Sequence, residues 1–224
     1  MSDQNAIERD GYVLLRGPIP AAWLDGLRAC FDQGETPSHL WPVPRQHGWR
    51  HSLVDLDPTV QAVCRLPPLL EAVGRLIGER FFLSQAEGRE PLPGHGHQGL
   101  HRDLSAFRPG DTVNAMVFLD DYGPHNGATR FVPGSHRPGP EAPPLCDADE
   151  AAAVRIAGRA GDILVFDADL AHGASQNTSG ERRRSLLVSY RSQGQREDHA
   201  RTAHLRAVRM ATDEYFDPPA PGPT

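Results

Sequence analysis

A histidine and an aspartate near the middle of the chain are spaced so that they could bind one metal ion. His101 and Asp103 lie two residues apart, and side chains two apart on an extended strand point to the same face. One imidazole and one carboxylate aimed at one point make two thirds of a 2-His-1-carboxylate site, which holds Fe(II) and leaves coordination positions open. A lone His-x-Asp pair is a weak signal, because a chain rich in both residue types contains one by chance.

His172 is the candidate for the second histidine. It follows the apolar run 163–166 and lies 69 positions beyond Asp103 (172 − 103). No local motif spans that separation, but a β-barrel or sandwich can close it, because its strands pair across long connections. We call His101, Asp103 and His172 the triad, and we expect a β-rich fold to bring them together.

A buried arginine could select the ligand that occupies the open metal coordination positions. Arg183 comes 11 positions after His172 (183 − 172) and begins a run that ends at Arg191. On a strand, Arg183 and Ser185 share a face, and a guanidinium with a neighbouring hydroxyl favours a carboxylate ligand. A dicarboxylate that chelates iron at one end and has a free carboxylate at the other satisfies both features. 2-Oxoglutarate is such a molecule.

The surrounding pattern predicts two helices followed by a series of short strands. A β-rich stretch at 11–16 comes first, and apolar residues then recur at helical spacing from Pro20 to Gly34 and from Pro67 to Gly78. After a strand that begins at Phe81, short apolar runs alternate with Gly/Pro turns. The runs lie at 113–119, 128–132, 153–156, 163–166 and 185–191. This order predicts a mainly β sandwich or barrel with flanking helices.

Five stretches follow one another in the second half of the chain. They are His101-Arg-Asp103, Asn126-Gly-Ala-Thr-Arg-Phe-Val-Pro-Gly-Ser-His136, Gly161-Asp-Ile-Leu-Val-Phe166, His172-Gly-Ala-Ser-Gln-Asn177 and Arg183-Arg-Ser-Leu186. Their order and spacing resemble the phytanoyl-CoA dioxygenase family of Fe(II)/2-oxoglutarate oxygenases. The resemblance extends from about Glu8 to Arg191. It implies a double-stranded β-helix, which is the jelly roll of the cupin-like oxygenases.

The resemblance also implies roles for individual residues. The triad would bind iron, and Arg183 would bind the far carboxylate of 2-oxoglutarate with Ser185 beside it. Gln98 and Thr129 match positions that often help to hold the cosubstrate in similar enzymes. Similar enzymes that halogenate have a small residue in place of the aspartate, so the presence of Asp103 favours hydroxylation.

The function implied is that of an Fe(II)/2-oxoglutarate-dependent dioxygenase. With O2 it would hydroxylate an aliphatic C–H of a small metabolite or natural-product intermediate and release succinate and CO2. The alternative is a cupin-like metalloprotein without 2-oxoglutarate chemistry, such as an isomerase, a binding module or a sensor. That alternative explains the triad but gives no reason for Arg183 and Ser185.

Candidates for substrate contacts come from two other regions. Residues 34–66 are rich in Pro, His and Trp, and a loop of that length often covers a site. Trp41 and Trp49 are candidates there, although packing beneath a loop explains them as well. Phe107 and Arg108 follow the first two triad residues closely enough to reach a substrate.

Composition limits the remaining possibilities. The chain has 224 residues and a formal net charge of -6, which suits one domain and argues against nucleic-acid or anionic-membrane partners. We expect one domain over 1–212 and a Pro-rich tail over 213–224, disordered or ordered only by a neighbour. The N-terminus shows no secretory signal, and the three widely spaced cysteines suggest free thiols, so we expect a cytoplasmic protein. The oligomeric state is not predicted.

Overall fold

Two antiparallel sheets form the centre of the molecule. The computed structural model describes residues 3–34, 48–103, 110–136 and 144–220. The helices are α1 (Asp3–Asp10), α2 (Ala21–Gln33), α3 (Pro58–Val63), α4 (Pro67–Ile77), α5 (Asp147–Ala152) and α6 (Arg196–Thr202). The strands are β1 (Tyr12–Leu15), β2 (Trp49–Ser52), β3 (Phe81–Pro91), β4 (Gln98–His101), β5 (Thr112–Phe118), β6 (Thr129–Phe131), β7 (Val154–Arg155), β8 (Ile163–Asp167), β9 (His172–Ala174) and β10 (Ser185–Ser192).

The larger sheet has the strand order β1-β8-β5-β10-β3-β2, and the smaller has the order β4-β9-β6-β7. Strand β8 in the larger sheet is buried on both faces, which explains why its residues 163–166 are an uninterrupted apolar run. Ile163 and Val165 belong to the core that includes α4. Leu164 and Phe166 belong to a second core, in which the Phe166 ring lies 5.0 Å from that of Phe131 in the smaller sheet. The mainly β fold with flanking helices is therefore confirmed.

The region 34–66, expected to be irregular, contains ordered elements where it is described. Strand β2 pairs with β3, and His51 lies opposite Arg89. Helix α3 begins at Pro58, and the Asp57 side chain accepts hydrogen bonds from the backbone N–H groups of Thr59 and Val60 at 2.8 and 3.0 Å. This Asp-Pro start is a standard helix signal that was visible in the sequence. Strand β2 had no such signal, because its partner is distant in sequence.

In the C-terminal segment, Phe216 pairs with Phe81, and Pro219 lies close to Gly74 of α4, whereas we expected residues 213–224 to be disordered or ordered only by a neighbour. Phe216 and Phe81 exchange two backbone hydrogen bonds of 2.8 and 3.0 Å, and their ring centroids are 5.5 Å apart. Phe216 is an apolar anchor within an otherwise polar and Pro-rich stretch, and burial of its ring offsets the cost of ordering the chain. Within the described residues, no helix has the length and apolar character needed to cross a membrane.

Candidate active site

The three triad residues converge at one end of the smaller sheet. His101 on β4 lies directly opposite His172 on β9, and their ring centroids are 4.4 Å apart. Asp103 lies two residues beyond the end of β4, where its N–H donates to the carbonyl of Ala168 at 3.1 Å. Its Oδ1 is 3.8 Å from His101 Nε2, and its Oδ2 is 3.9 Å from His172 Nε2. One ligand atom from each residue lies within 4.8 Å of the other two.

Backbone carbonyls fix the orientation of both imidazoles. His101 Nδ1 lies 3.0 Å from the carbonyl oxygen of Gly99, and His172 Nδ1 lies 2.7 Å from that of Leu170. A carbonyl oxygen can only accept, so each Nδ1 carries the proton and each Nε2 keeps its lone pair for a metal. Burial lowers the pKa of His172, against the opposing attraction of Asp103. The neutral, metal-binding form of this histidine is therefore favoured.

Asn114 supports the carboxylate of the triad. Its Nδ2 donates to Asp103 Oδ2 at 3.4 Å, and its Oδ1 accepts from the hydroxyl of Ser189 at 2.6 Å. We did not single out Asn114 from the sequence. The available signal was one amide side chain within the apolar strand β5, and buried polar side chains of this kind generally have a hydrogen-bonding reason for their position.

Gly173 allows β4 and β9 to approach closely. A Cβ atom at this position would lie 2.6 Å from the carbonyl oxygen of Gln98 and 3.0 Å from that of Gly99. Backbone atoms cannot move aside as a flexible side chain can. The contact of the two strands, and with it the distance between His101 and His172, therefore depends on the absence of a side chain at Gly173.

Replacing Gly173 with alanine should push β4 away from β9 and weaken metal binding. We expect the affinity for Fe(II) to fall about tenfold or more, as for other changes that misplace a metal ligand. Anaerobic titration calorimetry measures this loss, and thermal melting checks the fold. Gly99→Ala is the matched control, because a Cβ there meets no atom within 4 Å. Equal Fe(II) affinity in both variants would contradict the prediction.

The triad lines a cavity of about 420 Å³, a size that suits small molecules. Gln98 and Thr129 also line it, and both are paired with Ala174 of β9. The structure thus brings these two candidates into the same cavity as the triad and Arg183. Trp49 lines the cavity too. The other proposed substrate contacts, Trp41, Phe107 and Arg108, lie outside the described residues.

Arg183 is fully buried and incompletely hydrogen-bonded. Its Nη1 donates to the carbonyl of Gly127, while Nε and Nη2 have no hydrogen-bond partner among the described residues. Its guanidinium carbon lies 4.5 Å from the ring centroid of Tyr122 and 5.4 Å from that of Trp49. Burial lowers the pKa of Arg183. A buried cation with two unused donors is suited to bind an anion.

Ser185 lies beside Arg183, and its role in binding the cosubstrate stays a prediction. Its hydroxyl donates to the carbonyl of Arg89 at 3.0 Å, and it is not among the residues that line the cavity. The aromatic neighbour Tyr122 was missed, because nothing in the turn sequence around it indicates that its ring covers a distant guanidinium.

The two arginines that flank Arg183 point away from the cavity. Arg182 pairs with Glu90 at 2.7 Å and with Asp32 of α2 at 2.8 Å. Arg184 pairs with Asp120 at 2.9 Å and with the same Asp32 at 2.7 Å. These ion pairs hold the backbone on both sides of Arg183. The Arg-Arg-Arg run 182–184 therefore contains two arginines in ion pairs and one buried cation.

Comparison with known proteins adds independent information. The phytanoyl-CoA dioxygenase (PhyH) family model matches residues 7–185. The dioxygenase cdmD of Talaromyces verruculosus is 34% identical in an alignment of 153 residues, which covers 64% of this chain and 44% of that protein. The iron/alpha-ketoglutarate-dependent dioxygenase okaE of Penicillium ochrochloron is 26% identical in an alignment of 205 residues, which covers 82% of this chain and 67% of that protein. The chain thus spans less than half the length of the first of these relatives.

A solved structure shows the same fold. HygX from Streptomyces hygroscopicus, determined with nickel, 2-oxoglutarate and hygromycin B bound, has a TM-score of 0.68 and 18% sequence identity. The match covers 86% of this chain and 88% of HygX. Similarity at this level of identity concerns the fold, and it confirms the predicted jelly roll.

Proposed function

This chain belongs to the phytanoyl-CoA dioxygenase family, and from that premise we propose that it is an Fe(II)- and 2-oxoglutarate-dependent dioxygenase. We further propose that it hydroxylates an aliphatic C–H of a small metabolite or natural-product intermediate. One observation carries the proposal. A triad of metal-ligand type and a buried arginine with two unused donors line the same cavity. These are the two groups that a chelating dicarboxylate requires.

The donor set suits Fe(II), because two neutral imidazoles and one carboxylate leave coordination positions open. Fe(II) bound there would supply, with O2, the oxidation of a C–H bond coupled to conversion of 2-oxoglutarate into succinate and CO2. Arg183 would bind the distal carboxylate, and Gln98 and Thr129 lie where they could orient it. The rings of Trp49 and Tyr122 exclude water from the guanidinium, which strengthens its attraction for an anion.

Titration of the anaerobic Fe(II) protein with 2-oxoglutarate tests the proposal. We expect a visible charge-transfer band that saturates, followed on admission of O2 by succinate release that EDTA abolishes. Glutarate is the matched control. It has both carboxylates but lacks the 2-oxo oxygen, so it should produce no such band. Metal binding without any binding of 2-oxoglutarate would contradict the proposal and favour the cupin-like metalloprotein.

We also propose that the protein works in the cytoplasm on a small-molecule substrate. Cys30, Cys64 and Cys146 are free cysteines in the structure, which supports the proposal of a reducing compartment. Burial raises the pKa of Cys30 and of Cys64 to about 12, so neither thiol is reactive near neutral pH. The HygX complex shows that a protein of this fold can hold a small molecule such as hygromycin B.

A further inference from the structure

A second arginine, Arg191, lines the cavity together with Arg183. On β10, Ser189 lies opposite Asn114, and Asn114 donates to Asp103 of the triad. Arg183 precedes Ser189 by six residues, and Arg191 follows it by two. The Cα atoms of the two arginines are thus about 26 Å apart along an extended chain, yet both side chains line the cavity. Along the chain, the residue at the level of the triad therefore lies between the two arginines.

Arg191 shares the electrostatic features that distinguish Arg183. Its Nε is buried without a hydrogen-bond partner among the described residues, and its Nη1 makes only a 3.4 Å hydrogen bond to Gln195 Oε1. It forms no ion pair with any described residue, although Asp111 attracts it from a greater distance. Burial lowers the pKa of Arg191 as it does that of Arg183. Among the described residues, neither cation has a direct anionic partner.

Gln195 lies beside Arg191. It is in the 3₁₀ turn that follows β10, and its Nε2 donates to the carbonyl of Asp111 at 2.8 Å and to the hydroxyl of Thr112 at 2.9 Å. These two hydrogen bonds orient the amide so that its oxygen accepts from Arg191.

The cavity wall around Arg191 is polar. The part of the described cavity that begins at the level of Ser189 and continues past Arg191 is lined by six polar residues from β10, its partner strands and the turn after β10. The apolar residues that line this part are Phe166 and Ala168. The six polar residues are Gln85, Thr112, Asn114, Ser189, Arg191 and Gln195. A hydrocarbon chain placed here would remove these groups from water without replacing their hydrogen bonds.

The formal charges of the site point to the same conclusion. Fe(II) with Asp103, a 2-oxoglutarate dianion and Arg183 would sum to zero. Arg89, the remaining arginine in the cavity wall, is paired with Glu87. We propose, on the basis of the proposed function, that Arg191 binds a carboxylate of the substrate, so that the enzyme acts on small polar carboxylic acids. The Nε and Nη donors of a guanidinium match the two oxygens of a carboxylate.

Calorimetry on the full chain, loaded anaerobically with Fe(II) and saturated with 2-oxoglutarate, tests this assignment. The probes are the proteinogenic L-amino acids and the primary amide of each, because every pair differs only in the carboxylate. We expect at least one acid to bind about 10- to 100-fold more tightly than its amide. Arg191→Ala should remove that preference, and Arg191→Lys should keep part of it because it retains the charge.

Arg201→Ala serves as the matched control, since Arg201 is 75% exposed on α6, and it should keep the preference of the unaltered chain. The proposal is overturned if no acid binds more tightly than its amide, or if Arg191→Ala keeps the preference while its melting temperature shows a folded protein. The dissociation constant of 2-oxoglutarate, measured on the same protein preparations, distinguishes failure of the proposed dioxygenase function from failure of the Arg191 assignment. If 2-oxoglutarate does not bind, the proposed function fails, and the acid–amide preference is still measured directly on the chain.

Discussion

Asp103→Ala is expected to weaken Fe(II) binding strongly in chloride-free buffer and to abolish succinate release. Asp103 supplies the single carboxylate of the triad, and its two oxygens face the Nε2 atoms of His101 and His172 at 3.8 and 3.9 Å. Without it, two neutral imidazoles remain, and no negative charge offsets that of the metal. The loss should exceed the roughly 100-fold that removal of a supporting residue can cause. Anaerobic calorimetry with Fe(II) and a succinate assay measure it.

Two further variants make this prediction specific to the carboxylate at position 103. Asp103→Glu keeps the charge but lengthens the side chain, so we expect a smaller loss of Fe(II) affinity than in Asp103→Ala. Asp213→Ala removes an exposed carboxylate far along the chain and should leave the affinity unchanged. If Asp103→Ala bound Fe(II) as tightly as the unaltered chain, the metal would have to be bound elsewhere.

The sequence predicted that the three triad residues come together, but the structure positions Asp103 differently from the prediction. Period-two spacing placed His101 and Asp103 on one strand, whereas β4 ends at His101 and a backbone hydrogen bond to Ala168 positions Asp103. The conclusion survives because, in this position, the Asp103 carboxylate still faces the Nε2 atoms of both histidines. His172 could be proposed because the apolar run before it predicts a buried strand.

Features that depend on contacts between residues distant in sequence could not be predicted from local sequence patterns. Strand β2 forms because β3 offers an unpaired edge, and the last described residues pack because Phe216 meets Phe81. Neither partner is close in sequence, and neither segment has a strong local pattern. The same reason explains why Tyr122 was not recognised as a neighbour of Arg183, and Arg191 was not recognised as a residue that lines the cavity.

Alternation along the run 183–191 predicted the face on which Arg183 lies, but it did not predict the hydrogen-bond partners of the side chains on that face. Alternation placed Arg183 and Ser185 on one face, and Arg183 does line the cavity. The hydroxyl of Ser185 instead donates to the carbonyl of Arg89. Period two determines the direction of a side chain, whereas its hydrogen-bond partner depends on the neighbouring strand.

Arg183→Leu is expected to raise the dissociation constant of 2-oxoglutarate by about 100- to 1000-fold, because loss of one partner of a buried charged pair typically costs about 2–5 kcal/mol. Arg183→Lys should bind about tenfold more weakly than the unaltered chain, since an ammonium keeps the charge but not the two-pronged geometry. Anaerobic titration of the Fe(II) protein measures both constants. An unchanged constant in Arg183→Leu would show that the cosubstrate carboxylate binds another group.

The melting temperature should separate the functional role of Arg183 from a structural one. Without an anion, Arg183 is a buried cation with two unused donors, so Arg183→Leu should leave the cosubstrate-free protein equally stable or more stable. The rise in melting temperature that 2-oxoglutarate causes in the unaltered chain should be lost.

The neighbouring variant Arg182→Leu should instead destabilise the cosubstrate-free protein, because it removes the ion pair of the buried Glu90 carboxylate. It should lower the free energy of unfolding by about 1–3 kcal/mol and keep the response to 2-oxoglutarate. A large loss of stability in Arg183→Leu would instead make this arginine a structural residue.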